Sequence, residues 1–222
     1  MNNSYIIKNE NLTFRRANIN DDFEQIAKLI YDTNPYIYPF WFHNDLEEAI
    51  NFLKDNIKED KFIYNYKNIY IAYDEEKKQI IGILCALDKS IDLNFDYSKM
   101  EQINQNYAYT INHYIKEIIK EVEANDYIYI SNICIDGNNR GKKIGTSLAS
   151  YFIGQMEDYG YEEFTLDCLV HDLRAKNLFH KLKFNEMGEK IGFDGTDNSK
   201  VEMVTMKRKK GEYLPTDYKN FI

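Results

Sequence analysis

Between Tyr127 and Gly160 an apolar run halts at a polar, glycine-bearing loop and then gives way to an amphipathic stretch. That order restricts the chain to folds in which a buried strand feeds a helix. Tyr127-Ile128-Tyr129-Ile130 continues into Ile133 and Ile135, and β-branched and aromatic side chains of this kind suit a buried strand. Asp136 to Lys143 reads as loop. From Ile144 the residues Leu148, Tyr151, Phe152, Gln155, Met156 and Tyr159 recur at helical steps, with Gly160 placed as the C-terminal stop.

A loop entering a helix exposes backbone N–H groups at the positive end of the helix dipole, so it can hold a phosphate or pyrophosphate. Arg140, Lys142 and Lys143 add charge of the right sign. A P-loop does not fit, because only three residues separate Gly137 from Gly141 and Lys143 stands where the hydroxyl belongs. A dinucleotide fingerprint fails too, lacking Gly-x-Gly-x-x-Gly. The pattern Val-x-x-x-x-Arg/Gln-x-x-Gly-x-Gly/Ala does fit, with Ile135, Arg140, Lys143, Ile144 and Gly145 in its places. The stretch therefore resembles motif A of the GNAT N-acetyltransferases, with Lys143 replacing the first glycine. An ordinary strand-to-helix connection with solvated lysines is the competing reading.

Downstream, Phe164 to Val170 reads as a buried strand, and Asp172 can cap a helix carrying Ala175, Leu178, Phe179 and Leu182 on one side. Strand, helix, strand, helix in this order implies a βαβ unit with parallel strands. The region resembles motif B of the same family, Leu-x-Val-x-x-x-Asn-x-x-Ala-x-x-Leu-Tyr-x-x-x-Gly-Phe, with Leu166, Cys168, Ala175, Leu178 and Phe184 in register. It departs from that pattern at Asp172 for Asn, Phe179 for Tyr and Lys183 for Gly.

The resemblance implies an α/β (α+β) fold: a mixed, mostly antiparallel central sheet with one parallel pair of splayed strands and helices on both faces. It implies acetyl-CoA as cofactor and a primary amine of a small molecule or peptide as acceptor, attacked directly in a ternary complex. Ile133, Cys134 and Ile135 would take the pantetheine arm, a backbone N–H near Cys134 or Ile135 would face the thioester oxygen, and Gly141, Lys142, Lys143, Gly145 and Thr146 would take the pyrophosphate. Arg140, Asp172 and Phe179 complete the expected cofactor contacts. The family's usual acid for the departing thiolate is a tyrosine hydroxyl, which Phe179 lacks, and His180 is a helical step away from its place. For the proton leaving the amine, the sheet end offers Ser131, Asn132, Asp136 and His171, with Tyr36 and Tyr38 from a loop. A thiol beside a thioester invites an acyl-cysteine at Cys134, but no base adjoins it in sequence and burial raises a thiol pKa, so packing is its expected role. Phe179 and Lys183 keep a second hypothesis open: a catalytically weak or inactive acyl-CoA-binding sensor. A nucleotide-binding protein is the third.

Composition limits the partners. With 222 residues, 44% hydrophobic, the chain is ample for one packed domain, read here as 1–222 with a helical insertion over about 92–126. A formal net charge of -8 argues against a nucleic-acid partner, which needs a basic surface. Lys207-Arg208-Lys209-Lys210 is the one dense basic run and reads as the solvated end of a last strand. Cys85, Cys134 and Cys168 sit singly in apolar runs without metal or disulfide spacing, so no metal is expected and all three read as reduced core residues. No signal peptide or membrane span is apparent, and a cytoplasmic protein able to pair as a homodimer is the expectation.

Elsewhere, Leu12 to Ala17 reads as a first strand, Asn20-Asp21-Asp22 as a cap, and Phe23, Ile26, Ala27 and Ile30 as one helical face. Asn34 to His43 holds two of the three prolines and the single tryptophan, which argues against regular helix. Its Tyr36, Tyr38, Phe40 and Trp41 are the candidate substrate wall, with packing the alternative and His43 placed at the surface. Asn44 is the expected cap of a second helix with Leu46, Ala49, Ile50 and Leu53. Ile69 to Tyr73 and Ile80 to Leu87, joined by a charged turn, form a hairpin. Met100 to Val122 carries helical periodicity, and Phe184 to Ile191 and Val201 to Met206 close the sheet.

Overall fold

Alternation of apolar and half-buried positions, broken by Asp-capped helices, produces one mixed sheet covered on both faces. The computed structural model describes residues 5–7, 11–34, 37–91, 116, 118–120, 122–123, 126–194 and 200–215. Its strands are β1 Tyr5–Ile7, β2 Leu12–Arg16, β3 Ile69–Asp74, β4 Gln79–Leu87, β5 Ile128–Ile135, β6 Glu163–Leu169, β7 Asn185–Asp194 and β8 Lys200–Lys209. Its helices are α1 Phe23–Tyr31, a short α2 Ile37–Trp41, α3 Leu46–Asn56, α4 Ile144–Asp158 and α5 Leu173–Lys181. The sheet order is β1-β2-β3-β4-β5-β6-β8-β7, and every pairing is antiparallel except β5 with β6. The parallel pair is the expected βαβ unit, because the crossover through α4 returns the chain in the same direction.

Two apolar cores lie on opposite faces. Ile26, Ile30, Tyr38, Trp41, Leu53, Ile71 and Ile83 belong to the core under α1, α2 and α3, joined by Ile118 and Val122 of a helical segment. Leu148, Phe152, Ile153, Phe164, Leu166, Phe179 and Phe184 belong to the core under α4 and α5. Burying side chains of this size stabilises the fold by about 1.5–3 kcal/mol each, which fixes the strand register.

Asp22, Asp45 and Asp172 cap α1, α3 and α5 through side-chain bonds to first-turn amides. The α3 cap is thus Asp45 and not Asn44, whose φ of 63° leaves it in the turn, and Leu46 is exposed. The Pro-containing segment also differs from expectation, since Ile37–Trp41 is helical with Pro39 inside it. Proline is compatible there because it sits in the first turn, where its missing N–H has no helical acceptor. Among the expected insertion residues, 92–115, 117, 121, 124 and 125 lie outside the described residues, as do Pro35 and Tyr36.

The basic run is only partly a solvated strand end. Arg208 is 1% exposed and donates to Glu157, to the carbonyls of Leu182, Lys209 and Glu212, while its guanidinium stands over Phe164. Lys207 packs over Tyr127 and pairs with Glu163, so Lys209 and Lys210 alone are exposed. A buried guanidinium persists only with its donors satisfied, which this arrangement provides.

Candidate active site

Only two residue pairs, Ile128↔Phe164 and Tyr129↔Thr165, join β5 to β6 before the strands part. Beyond them β5 continues to Ile135 paired only with β4, and β6 to Leu169 paired only with β8. The facing edges therefore keep backbone N–H and C=O groups available to an extended ligand.

A bulge adds to the opening. The β4–β5 register runs Cys85↔Asn132 and then Ala86↔Ile130, leaving Ser131 as the extra residue. The insertion shifts the phase of β5. Tyr129 and Cys134 belong to the α1–α3 core, and Ile130, Ile133 and Ile135 to the α4–α5 side. Asn132 turns toward α1 and α2, donating from Nδ2 to Thr33 Oγ1 at 2.6 Å and to Tyr38 Oη at 3.2 Å.

The result is a slot of ≈ 120 Å³ through the sheet. Ile133, Leu166, Cys168, Ala175 and Phe179 line it from the α4–α5 side, and Thr33, Ile37, Tyr38, Tyr64, Ile118 and Asp167 from the other. Ser131, Asn132, Leu169 and Asp172 also stand on its wall. Tyr38 and Tyr64 share a hydroxyl contact of 2.6 Å.

At the mouth of β5 the loop braces itself. Arg140 Nε donates to the Ile135 carbonyl at 2.9 Å, and Lys142 Nζ to Asn139 Oδ1 at 3.0 Å. Gly141 has φ +80°, and Lys143, the N-cap of α4, has φ 65°. Unlike α1, α3 and α5, α4 has no side-chain cap bond, so its first-turn amides are left to an external acceptor. Gly145 has a packing reason: a Cβ there would lie 3.1 Å from Leu178 Cδ1 and 3.4 Å from Ile135 Cγ1. Its absence lets α4 close onto β5 and α5. Thr146 follows, half-buried in the same first turn.

The expected residues sort clearly. Ile133, Cys134, Ile135, Gly141, Lys142, Lys143, Gly145 and Thr146 gather along β5 and the start of α4, and Asp172 and Phe179 line the slot from α5. Of the aromatic segment Tyr38 reaches the slot, whereas Phe40 and Trp41 are packed into the core. His171 is 89% exposed with Glu202 3.9 Å away, and His180 bonds Glu186 and the Phe184 carbonyl, so neither stands on the described wall. Phe179 is buried edge-on to Phe184 at 5.5 Å.

All three cysteines are reduced and buried. Burial pushes the Cys134 thiol up to about 11, against a smaller opposing pull from Arg140, and the Cys168 thiol up to about 12. Neither carries much thiolate at neutral pH, in keeping with the packing role expected of them. Sequence reading missed Tyr64 and Asp167. The second had a signal, being the one charged residue in the apolar run Phe164 to Val170. Among the described residues no group of His, Cys, Asp or Glu could hold a metal ion, and no helix is long and apolar enough to cross a membrane.

The geometry has counterparts among solved structures. An N-acetyltransferase from Staphylococcus aureus superimposes with a TM-score of 0.61 at 19% identity, covering 88% of this chain and 99% of that one. A polyamine N-acetyltransferase of Drosophila melanogaster gives 0.54 at 13%, covering 89% and 99%. The NatC complex bound to Gag peptide and CoA gives 0.53 at 16%, covering 89% and 98%. Identities this low establish a shared fold and nothing finer. No curated protein matches by sequence. The model of the acetyltransferase (GNAT) family matches residues 24–184, a span running from α1 through the parallel pair to the end of α5, and the chain belongs to that family.

Proposed function

We propose that the protein is an acetyl-CoA-dependent N-acetyltransferase that acetylates a primary amine directly, without an acyl-enzyme. The observation that carries this reading is the parting of β5 from β6 after two pairs, beside a helix whose N-terminus has no side-chain cap. Acetyl-CoA supplies an acetyl group already activated as a thioester. The first-turn amides of α4, with Gly141, Lys142 and Lys143, hold the pyrophosphate through backbone donors and local positive charge. Ile133 and Ile135 and the open edge of β5 bind the amide-rich arm as an added strand would. Phe179 and Ala175 close the slot from the α5 side and exclude water.

The acceptor approaches from the opposite face, past Thr33, Ile37, Tyr38 and Tyr64. Entry from two faces holds both reactants at once, and this proximity supplies much of the rate enhancement. Phe179 brings no hydroxyl to the slot, but Tyr38, Tyr64 and Tyr129 do. The high pKa values at Cys134 and Cys168 support direct transfer.

Calorimetric titration with acetyl-CoA tests the cofactor half, and absence of binding overturns it. Thiol release across a panel of primary amines tests the transfer. Binding without release for any amine would favour the sensor reading, which Phe179 supports.

A further inference from the structure

We propose that Asn132 Oδ1 accepts an N–H of the uncharged acceptor amine and so directs the nitrogen's lone pair at the thioester carbon; this rests on the acetyl-transfer reading. Asn132 lies three positions beyond the last β5–β6 pair, in the open stretch of β5 and immediately before Ile133, and it stands on the wall of the slot. Asparagine is depleted in strands, yet this one is 8% exposed in the middle of an apolar run. A local conflict of that kind is expected at a functional position.

The hydrogen-bond network decides which end of the amide is which. Thr33 Oγ1 donates to the Ile30 carbonyl at 2.6 Å, and a carbonyl has no proton to give back, so toward Asn132 the Thr33 hydroxyl can only accept. The amide nitrogen therefore faces Thr33, at 2.6 Å, and its other N–H reaches the Tyr38 hydroxyl at 3.2 Å. Both hydrogens are used, and the amide is held in place. Oδ1 is left over: it is buried with no hydrogen-bond partner among the described residues, and no other buried side-chain polar atom on the described wall shares that state. An unpaired buried acceptor destabilises the protein on its own, a cost that a bound donor removes.

An amine supplies that donor, and the surroundings favour its uncharged form. On the α1–α3 side the slot is lined by Ile37, Tyr38, Tyr64 and Ile118. The two carboxylates of the described wall are bound within the protein, Asp167 by the Tyr129 and Thr205 hydroxyls and Asp172 by the Arg174 and Ala175 amides. Burial in such a setting disfavours a charged amine, and an amide oxygen, unlike a carboxylate, accepts an N–H without adding a charge that holds the ammonium form. The lone pair stays free. It forms the new N–C bond as the C–S pair leaves on sulfur; the proton that nitrogen sheds balances the one that coenzyme A gains, and Asn132 carries neither. Its part is to hold the nitrogen in line with the carbon it attacks.

The test uses the full chain with acetyl-CoA and follows thiol release with the best acceptor among n-butylamine, benzylamine, spermidine and a lysine-containing peptide. Asn132→Leu keeps the size and removes the oxygen; kcat/KM for the amine should fall about ten-fold or more, the scale of one hydrogen bond to the reacting atom, while the calorimetric Kd for acetyl-CoA stays within about three-fold. Leucine also gives up the bonds to Thr33 and Tyr38, so a second variant separates the two effects. Asn132→Asp keeps an acceptor in place of Oδ1 and adds a charge that binds the amine as ammonium. Its KM for the amine should hold or fall while kcat drops about ten-fold or more, and its kcat relative to wild type should climb between about pH 7 and about pH 9 as the ammonium gives way.

An Asn132→Leu variant whose kcat/KM lies within about three-fold of wild type overturns the inference. So does one that loses acetyl-CoA affinity in step with the amine, which would give the oxygen to the cofactor or to the fold. An Asn132→Asp variant whose loss falls on KM, with a pH profile parallel to wild type, overturns it as well, since a merely structural role produces that pattern. A wild type that binds acetyl-CoA and releases no thiol with any of these amines is a different result: it overturns the acetyl-transfer reading itself, and the inference falls with it.

Discussion

Lys183→Gly should stabilise the protein. Helix α5 ends at Lys181 with Leu182 as its C-cap, and Lys183 follows with φ 66°. Its N–H bonds the His180 carbonyl at 3.0 Å, the next N–H, from Phe184, reaches back to the Phe179 carbonyl at 3.0 Å, and the two phenylalanine rings meet at 5.5 Å. This is a Schellman cap with its apolar contact, built on the position where glycine alone has no Cβ penalty. A left-handed non-glycine residue costs roughly 1–2 kcal/mol. Glycine gives back about 0.4–1 kcal/mol through the extra freedom of the unfolded chain. The net gain is about 0.5–1 kcal/mol, or about 1–4 °C in melting temperature at this chain length. Urea unfolding provides the assay: the midpoint should rise with the slope m unchanged. Lys183→Ala keeps the Cβ and should stay within about 0.5 kcal/mol of wild type. A glycine variant no more stable than the alanine one would refute the argument, showing that the turn rather than the Cβ sets the cost.

Lys143→Gly should give a similar rise in stability, since Lys143 also sits in the left-handed region, but it removes a cation from the proposed pyrophosphate loop. Acetyl-CoA affinity should then fall by about three- to ten-fold, with a weaker salt dependence, and an unchanged calorimetric Kd would place the ammonium away from the phosphates. Glu157→Ala strips the carboxylate from Arg208 and should cost about 3 kcal/mol or more, lowering the melting temperature by about 6–12 °C. Joint replacement, Glu157→Leu with Arg208→Met, should recover part of that loss in the same melting assay, and no recovery would mean that the guanidinium's three carbonyl bonds outweigh the ion pair.

The sequence made the sheet legible wherever alternation was strong. β3, β4, β5, β6 and the helices α1, α4 and α5 follow from apolar spacing and Asp caps within a residue or two. β1 was missed because three residues at Tyr5–Ile7 give too short a pattern. Helix α2 was missed because Pro39 reads as a breaker unless its place in the first turn is known, which the sequence alone does not fix. Arg208 was misread because a basic run looks solvated, whereas the alternation of β8 turns every second side chain inward. The expected cofactor contacts lie on two short stretches, Ile133 to Thr146 and Asp172 to Phe179, and so could be read from spacing. The opposite side was legible only at Tyr38 and Asn132, since Thr33, Tyr64 and Asp167 come from separate parts of the chain and join them only through sheet topology.

The departures from the family pattern differ in kind, and the structure separates them. Lys143 and Lys183 stand where the pattern has glycine, and both adopt positive φ, 65° and 66°. The glycines therefore encode a backbone conformation, which lysine reaches at a cost in stability while the amides of the loop and the cap keep their directions. Both lysine side chains are exposed, so the change of residue leaves the packing beneath each turn in place. Phe179 differs in its side chain instead: the backbone is ordinary helix, the ring packs on Phe184, and the hydroxyl of the pattern's tyrosine is absent. The tyrosine hydroxyls that line the slot come from the opposite side. Tyr38, Tyr64 and Tyr129 stand there, and Tyr38 and Tyr64 are already hydrogen-bonded to each other. Tyr129 in turn donates to Asp167 Oδ2, so all three tyrosine hydroxyls on the α1–α3 side of the slot are already engaged in hydrogen bonds.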